Sequence, residues 1–177
     1  MRQRSLADPE DITLRARDVV IGGALGIATS VAIVAYLVLS TQSQHRLLLG
    51  TVCVAWAIAS SGLFVIPRHR LAASRLREPF FLAWSGLVIA SFAVGIVLEG
   101  RPGTPLTAEF ILPMIFAAIS YPVRETVITG VMVLLSAAIA CVLSGHPAAD
   151  TTFLLLALAF GAVMGVWQAH GRNRRAA

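Results

Sequence analysis

Six apolar runs, each close to twenty residues long, constrain this chain more than any other feature of its sequence. They cover residues 19–40, 47–66, 80–98, 105–121, 126–144 and 151–169. A bilayer core about 30 Å thick takes about 20 helical residues to cross. None of the runs alternates strictly as a barrel strand does, and in lipid only helices or closed barrels satisfy their own backbone. The expected fold class is therefore all-α, an integral membrane bundle of six transmembrane helices. The run at 105–121 is the shortest and carries Pro113.

Composition excludes most other classes. Hydrophobic residues make up 57% and charged residues 13%, against about 25% charged in ordinary globular chains. Mean hydropathy is +0.80. A soluble enzyme, a disordered tail and a disulfide scaffold all need a different balance. The net charge of +5 does not indicate nucleic acid as a partner. All 14 basic residues are Arg, set in short clusters between apolar runs rather than on a basic face interleaved with aromatics. Cys53 and Cys141 lie inside apolar runs without metal-site spacing, as inert buried thiols do.

Arginine placement predicts the topology. The leader 1–18 carries Arg2, Arg4, Arg15 and Arg17 against four carboxylates, and the full-length run after it reads as an uncleaved signal anchor. With the N-terminus inside, Arg68, Arg70, Arg75, Arg77, Arg124, Arg172, Arg174 and Arg175 also fall inside. Only Arg46 and Arg101 fall outside. This bias predicts both termini in the cytoplasm of a multi-pass cell-membrane protein. It also requires the run at 105–121 to cross, since otherwise Arg124 and the arginine-rich tail would face outward. Tyr36, Phe80, Phe81, Phe110, Tyr121 and Trp167 lie near run ends and are expected at the membrane interface. The organisation is a cytoplasmic leader (1–18), a six-helix membrane domain (19–169) and an arginine-rich cytoplasmic exit (170–177).

Catalytic signatures are absent from the sequence. It holds no Gly-rich phosphate loop, no His-x-x-x-His pair and no nucleophile set, and the reading is of a chain that is not itself an enzyme. His45, His69, His146 and His170 are divided between the two membrane faces, so neither metal nor cofactor is expected. Glu99, Arg101 and Glu109 converge in this topology near the outer surface. There they serve either as an external ligand or proton sensor or as ordinary interfacial anchors. Asp150, ahead of two threonines, is expected to cap the last helix.

Small residues recur every four positions: Gly22, Gly26 and Ser30 in the first run, and Ala157, Gly161, Gly165 and Ala169 in the last. This spacing lets two helix backbones approach closely. It serves either packing within the chain, helix one on helix six, or a homodimer seam built by helix six. Scattered hydroxyls such as Ser60, Ser61, Ser85 and Ser91 are expected to bond back to their own helices.

The inner turn Tyr121-Pro122-Val123-Arg124-Glu125 and the exit Trp167-Gln168-Ala169-His170-Gly171-Arg172-Asn173-Arg174-Arg175 follow a polar leader and compact helices. In this layout the chain resembles the N-terminal membrane region of actinobacterial diguanylate cyclases. In that family the exit leads to a GGDEF domain that makes cyclic di-GMP as a dimer. No GG[DE]EF motif stands in this sequence, so no catalytic residue carries over. The resemblance implies a membrane anchor and sensory input module for a cytosolic signalling domain, in cis or in trans. The bilayer and a second copy of the chain are the other implied partners. The rival reading is a small stand-alone transporter or permease subunit.

Overall fold

The computed structural model describes residues 9–40, 45–65, 77–101 and 104–175. Every regular element among the described residues is a helix, with no strand among them. The elements are α1 (Pro9–Leu39), α2 (Arg46–Val65), α3 (Arg77–Glu99), a 3₁₀ segment (Pro105–Phe110) that runs into α4 (Ile111–Ser120), α5 (Val123–Leu143) and α6 (Ala148–Arg175). Five helices, α1, α2, α3, α5 and α6, are long and apolar enough to cross a membrane, and Pro105–Ser120 is a shorter apolar piece. Arg2, Arg4, Arg68, Arg70, Arg75 and His69 lie outside the described residues.

Helix limits differ from the sequence expectation where charge meets helix. α1 begins at Pro9 rather than near residue 19. A proline suits the first helical position. α6 starts at Ala148, which leaves Asp150 in its first turn rather than at the cap. At its other end α6 continues through Gly171 to Arg175, so the exit segment prolongs the helix. The 3₁₀ geometry ahead of α4 has a local cause. Pro113 has no N–H to offer the Glu109 carbonyl and its ring crowds that oxygen, which tightens the preceding turn.

Two helices end on left-handed glycines, Gly100 (φ +62°) and Gly145 (φ +67°). Gly100 donates to the Ile96 carbonyl at 3.2 Å, a single-bond αL cap. After α5, His146 N–H reaches the Cys141 carbonyl at 2.9 Å and Gly145 N–H the Val142 carbonyl at 3.2 Å. That pair of bonds is a Schellman motif.

α1 and α2 form a tightly packed hairpin, while α3, α4, α5 and α6 form a second group in which α5 touches α3, α4 and α6. Two buried clusters join hairpin to group. One sets Ile33, Leu37, Leu49 and Cys53 against Ile96, Leu106 and Phe110; the other sets Val19 and Leu63 against Phe81, Phe116 and Tyr121. Phe81, Phe110 and Tyr121 are thus core residues rather than interface anchors. Their rings find aromatic partners inside, such as Phe116 against Tyr121 at 5.4 Å and Phe92 against Phe110 at 6.2 Å. Trp167 alone among the six expected anchors is broadly exposed.

Candidate functional site

Glu99, the last residue of α3, is the most buried charged residue among the described ones, only 1% exposed. Each of its carboxyl oxygens has its own donor. The Tyr36 hydroxyl, from the end of α1, donates to Oε1, and the Thr104 hydroxyl donates to Oε2. Thr104 caps the 3₁₀ segment, accepting from Leu106 N–H at 3.3 Å while its own proton goes to Glu99. The left-handed turn at Gly100 reverses the chain and brings Thr104 back over the carboxylate. One side chain therefore ties α1, α3 and the start of the 3₁₀ segment together.

This is a different grouping from Glu99, Arg101 and Glu109. Among the described residues neither Arg101 nor Glu109 bonds or pairs with Glu99; both are half-buried. Tyr36 is the partner that sequence reasoning missed. The available signal was that Tyr36 and Glu99 close two helices at the same end of the bundle, where a buried carboxylate needs donors.

A second polar knot pins the opposite end. Tyr121 OH donates to the Phe81 carbonyl at 2.7 Å, which leaves Ser85 to donate to Tyr121 OH at 2.7 Å. Thr126 Oγ1 reaches the carbonyls of Ala117 at 3.1 Å and Pro122 at 3.0 Å. The turn quoted for the family resemblance is thus a structural joint between α3, α4 and α5.

Between these two knots lies a cavity of about 400 Å³. It separates the α1–α2 hairpin from α3, with the 3₁₀ segment and α4 closing one side. Trp56 and Trp84 meet edge to face at 5.2 Å on its wall. The lining is apolar apart from five hydroxyl residues and Cys53, and it contains no charged residue. Glu99 is not part of it.

The small-residue stripes are filled within the chain. A Cβ on Gly26 would stand 2.2 Å from Ser60 Oγ, and one on Gly22 would stand 3.2 Å from the Phe116 ring. Gly161 faces Met114 at 2.9 Å, Gly165 faces Ala118 at 3.2 Å, and Ala169 is fully buried. α1 therefore packs on α2 and α4, and α6 on α4 and α5, which replaces the expected pairing of helix one with helix six. Ala157, on the same stripe, is exposed. Of the expected hydroxyls, Ser61 and Ser91 bond back to the carbonyls four residues earlier, as Ser30 does, whereas Ser85 bonds to Tyr121 instead and Ser60 Oγ is sealed without a partner among the described residues. Arg172, Arg174 and Arg175 lie on the last turns of α6. No group of three potential metal ligands occurs among the described residues.

No family model matches this chain, and neither a curated protein nor a solved structure matches it.

Proposed function

We propose that this chain is a multi-pass protein of the cell membrane that anchors and regulates a cytosolic signalling output, with α6 as the transmitting element. The supporting observation is the continuity of α6, unbroken over 28 residues. At about 1.5 Å per residue it is roughly 42 Å long, against about 30 Å of hydrocarbon. The helix therefore carries its arginine end beyond the membrane as one rigid rod, and a tilt or rotation inside becomes a displacement outside.

The segment Pro105–Ser120 serves as the fourth crossing. Six 3₁₀ residues and ten α residues reach about 27 Å at their usual rises, close to the thickness needed. This puts the leader, Arg124 and the α6 exit together in the cytoplasm. Two copies meet on the outward face of α6, since the packed stripe is already occupied. Phe153, Leu156, Phe160, Val163 and Trp167 are all exposed there at alternating spacings of three and four, the repeat of a left-handed helix seam. The output in this reading is a diguanylate cyclase domain, by the resemblance of turn and exit, and the chain itself contributes no catalysis. A permease reading draws on the cavity, but no carboxylate, arginine or histidine lines it to couple transport to an ion.

The test is helical phase. A GGDEF catalytic domain is fused after Ala177, and one to seven alanines are inserted between His170 and Gly171. Cyclic di-GMP output should rise and fall with a period of about 3.5 residues. A flat profile, or a steady decline with length, contradicts transmission through α6.

A further inference from the structure

We propose that the cavity between the α1–α2 hairpin and α3 is a binding site for a neutral, lipid-soluble molecule that carries a carbonyl or hydroxyl oxygen. The inference rests on the membrane embedding proposed above, but not on signalling through α6.

Three observations converge on this class. The volume, about 400 Å³, falls within the range of small-molecule sites. The wall is built mainly of apolar and aromatic side chains, including Trp56, Trp84 and Phe116, with no charged residue to hold an ionic head group. The third observation is Thr29. It lines the cavity, is only 9% exposed, and makes no hydrogen bond among the described residues, whereas its neighbour Ser30 bonds back to the Gly26 carbonyl at 2.9 Å. The Thr29 hydroxyl is not sealed off as that of Ser60 is, so on the cavity wall it is free to meet an oxygen that a ligand brings.

Depth distinguishes the occupant from an ordinary membrane lipid. Thr29 stands at the middle of the apolar stretch Val19–Leu39, ten residues or about 15 Å from either end. The ester and head group of a bilayer phospholipid stay at the interface, and the tail that reaches this depth has no oxygen to offer. A molecule that satisfies Thr29 must bring its polar atom to mid-membrane, where a charge is expensive. It is therefore uncharged, with an oxygen on an apolar body, and flat enough to lie along the tryptophan wall.

The molecule has its own reporter. Trp56 and Trp84 line the site, while the third tryptophan, Trp167, is exposed on α6. With Trp167→Phe as background, the purified chain in detergent is titrated with a ubiquinone bearing one isoprene unit, a neutral carbonyl compound that quenches indole fluorescence. Quenching should saturate. It should be lost in Gly95→Leu, which fills the cavity from a position where a Cβ meets only Leu49 at 3.8 Å. Thr29→Val should weaken binding about fivefold, the loss of one neutral hydrogen bond, and should leave binding of an oxygen-free hydrocarbon of the same size unchanged. Leu112→Trp, on the α4 side of the cavity, repeats the filling test should Gly95→Leu fail to fold. Non-saturating quenching, or quenching unchanged by filling, overturns the site. Saturable binding that Thr29→Val does not alter and phospholipid displaces overturns the assigned class, because the cavity then holds an acyl tail. A flat output in the helical-phase experiment would leave all these results standing, and alkaline extraction of membranes reads the embedding by itself.

Discussion

Gly26→Leu is expected to destroy the packed hairpin, with a loss of about 3 kcal/mol or more. Even the first added carbon would stand 2.2 Å from Ser60 Oγ and 2.9 Å from Ser60 Cβ. Ser60 is 1% exposed, and although its hydroxyl can rotate, its Cβ is fixed to the α2 backbone. The helices must separate, and their separation undoes the cluster of Val19 and Leu63 against Phe81 and Phe116. Cys53 and Cys141, both buried and free, report the loss as thiol reactivity in detergent. Gly26→Ala should cost about 1–3 kcal/mol, and Ser60→Gly in the same chain should recover most of it, since it removes both obstructing atoms. Wild-type resistance in Gly26→Leu would mean that α1 does not lie on Ser60.

Glu99→Ala is the second large effect, at about 2–4 kcal/mol. The cost arises because two donors, Tyr36 OH and Thr104 Oγ1, lose their acceptor together, and each buried polar group left unpaired costs about 1–3 kcal/mol. Tyr36→Phe and Thr104→Val each remove one donor and should cost less singly. Combined with Glu99→Ala they should add little, since their partner is already gone. Thermal unfolding of the four variants in one detergent measures this. Additive losses would show that the three side chains do not act as one unit.

How much of this was legible in the sequence depends on the feature. The runs were legible because length and apolarity report directly on membrane-sized helices; α2 at Arg46–Val65 lies within one residue of its expected limits. Hydropathy marks only the apolar stretch inside each helix, Val19–Leu39 in α1, so it does not show that α1 runs back to Pro9 or that α6 runs out to Arg175. Charge does not stop a helix that is already formed. Helix pairing was beyond reach for another reason. When every helix is apolar nearly all round, no face points to its neighbour, and the partner is chosen by shape. Gly26 against Ser60 and Gly165 against Ala118 are such choices. The spacing of four marked these glycines as contact points but left their partners open.

The candidate site divides in the same way. Glu99 stood out as a carboxylate at a helix end, yet charge logic assigned it to Arg101 and Glu109 rather than to two hydroxyls. The turn that decides the matter is set by Gly100, whose left-handed conformation returns Thr104 to the carboxylate. The cavity had no linear signal at all, because its wall draws on α1, α2, α3, the 3₁₀ segment and α4.

The proposed topology depends most on whether Pro105–Ser120 crosses the membrane, which would put the arginine end of α6 on the same side as the leader. In a background with Cys53→Ala and Cys141→Ala, single cysteines are introduced one at a time as His45→Cys, Arg101→Cys, Arg124→Cys, Gly145→Cys and Arg174→Cys. Intact cells are then treated with a membrane-impermeant maleimide. Labelling at positions 45, 101 and 145, with protection at 124 and 174 until the cells are opened, is the expected result. Labelling at 124 and 174 with protection at 145 would mean that the segment does not cross, and α6 would then point its arginines away from any cytosolic partner.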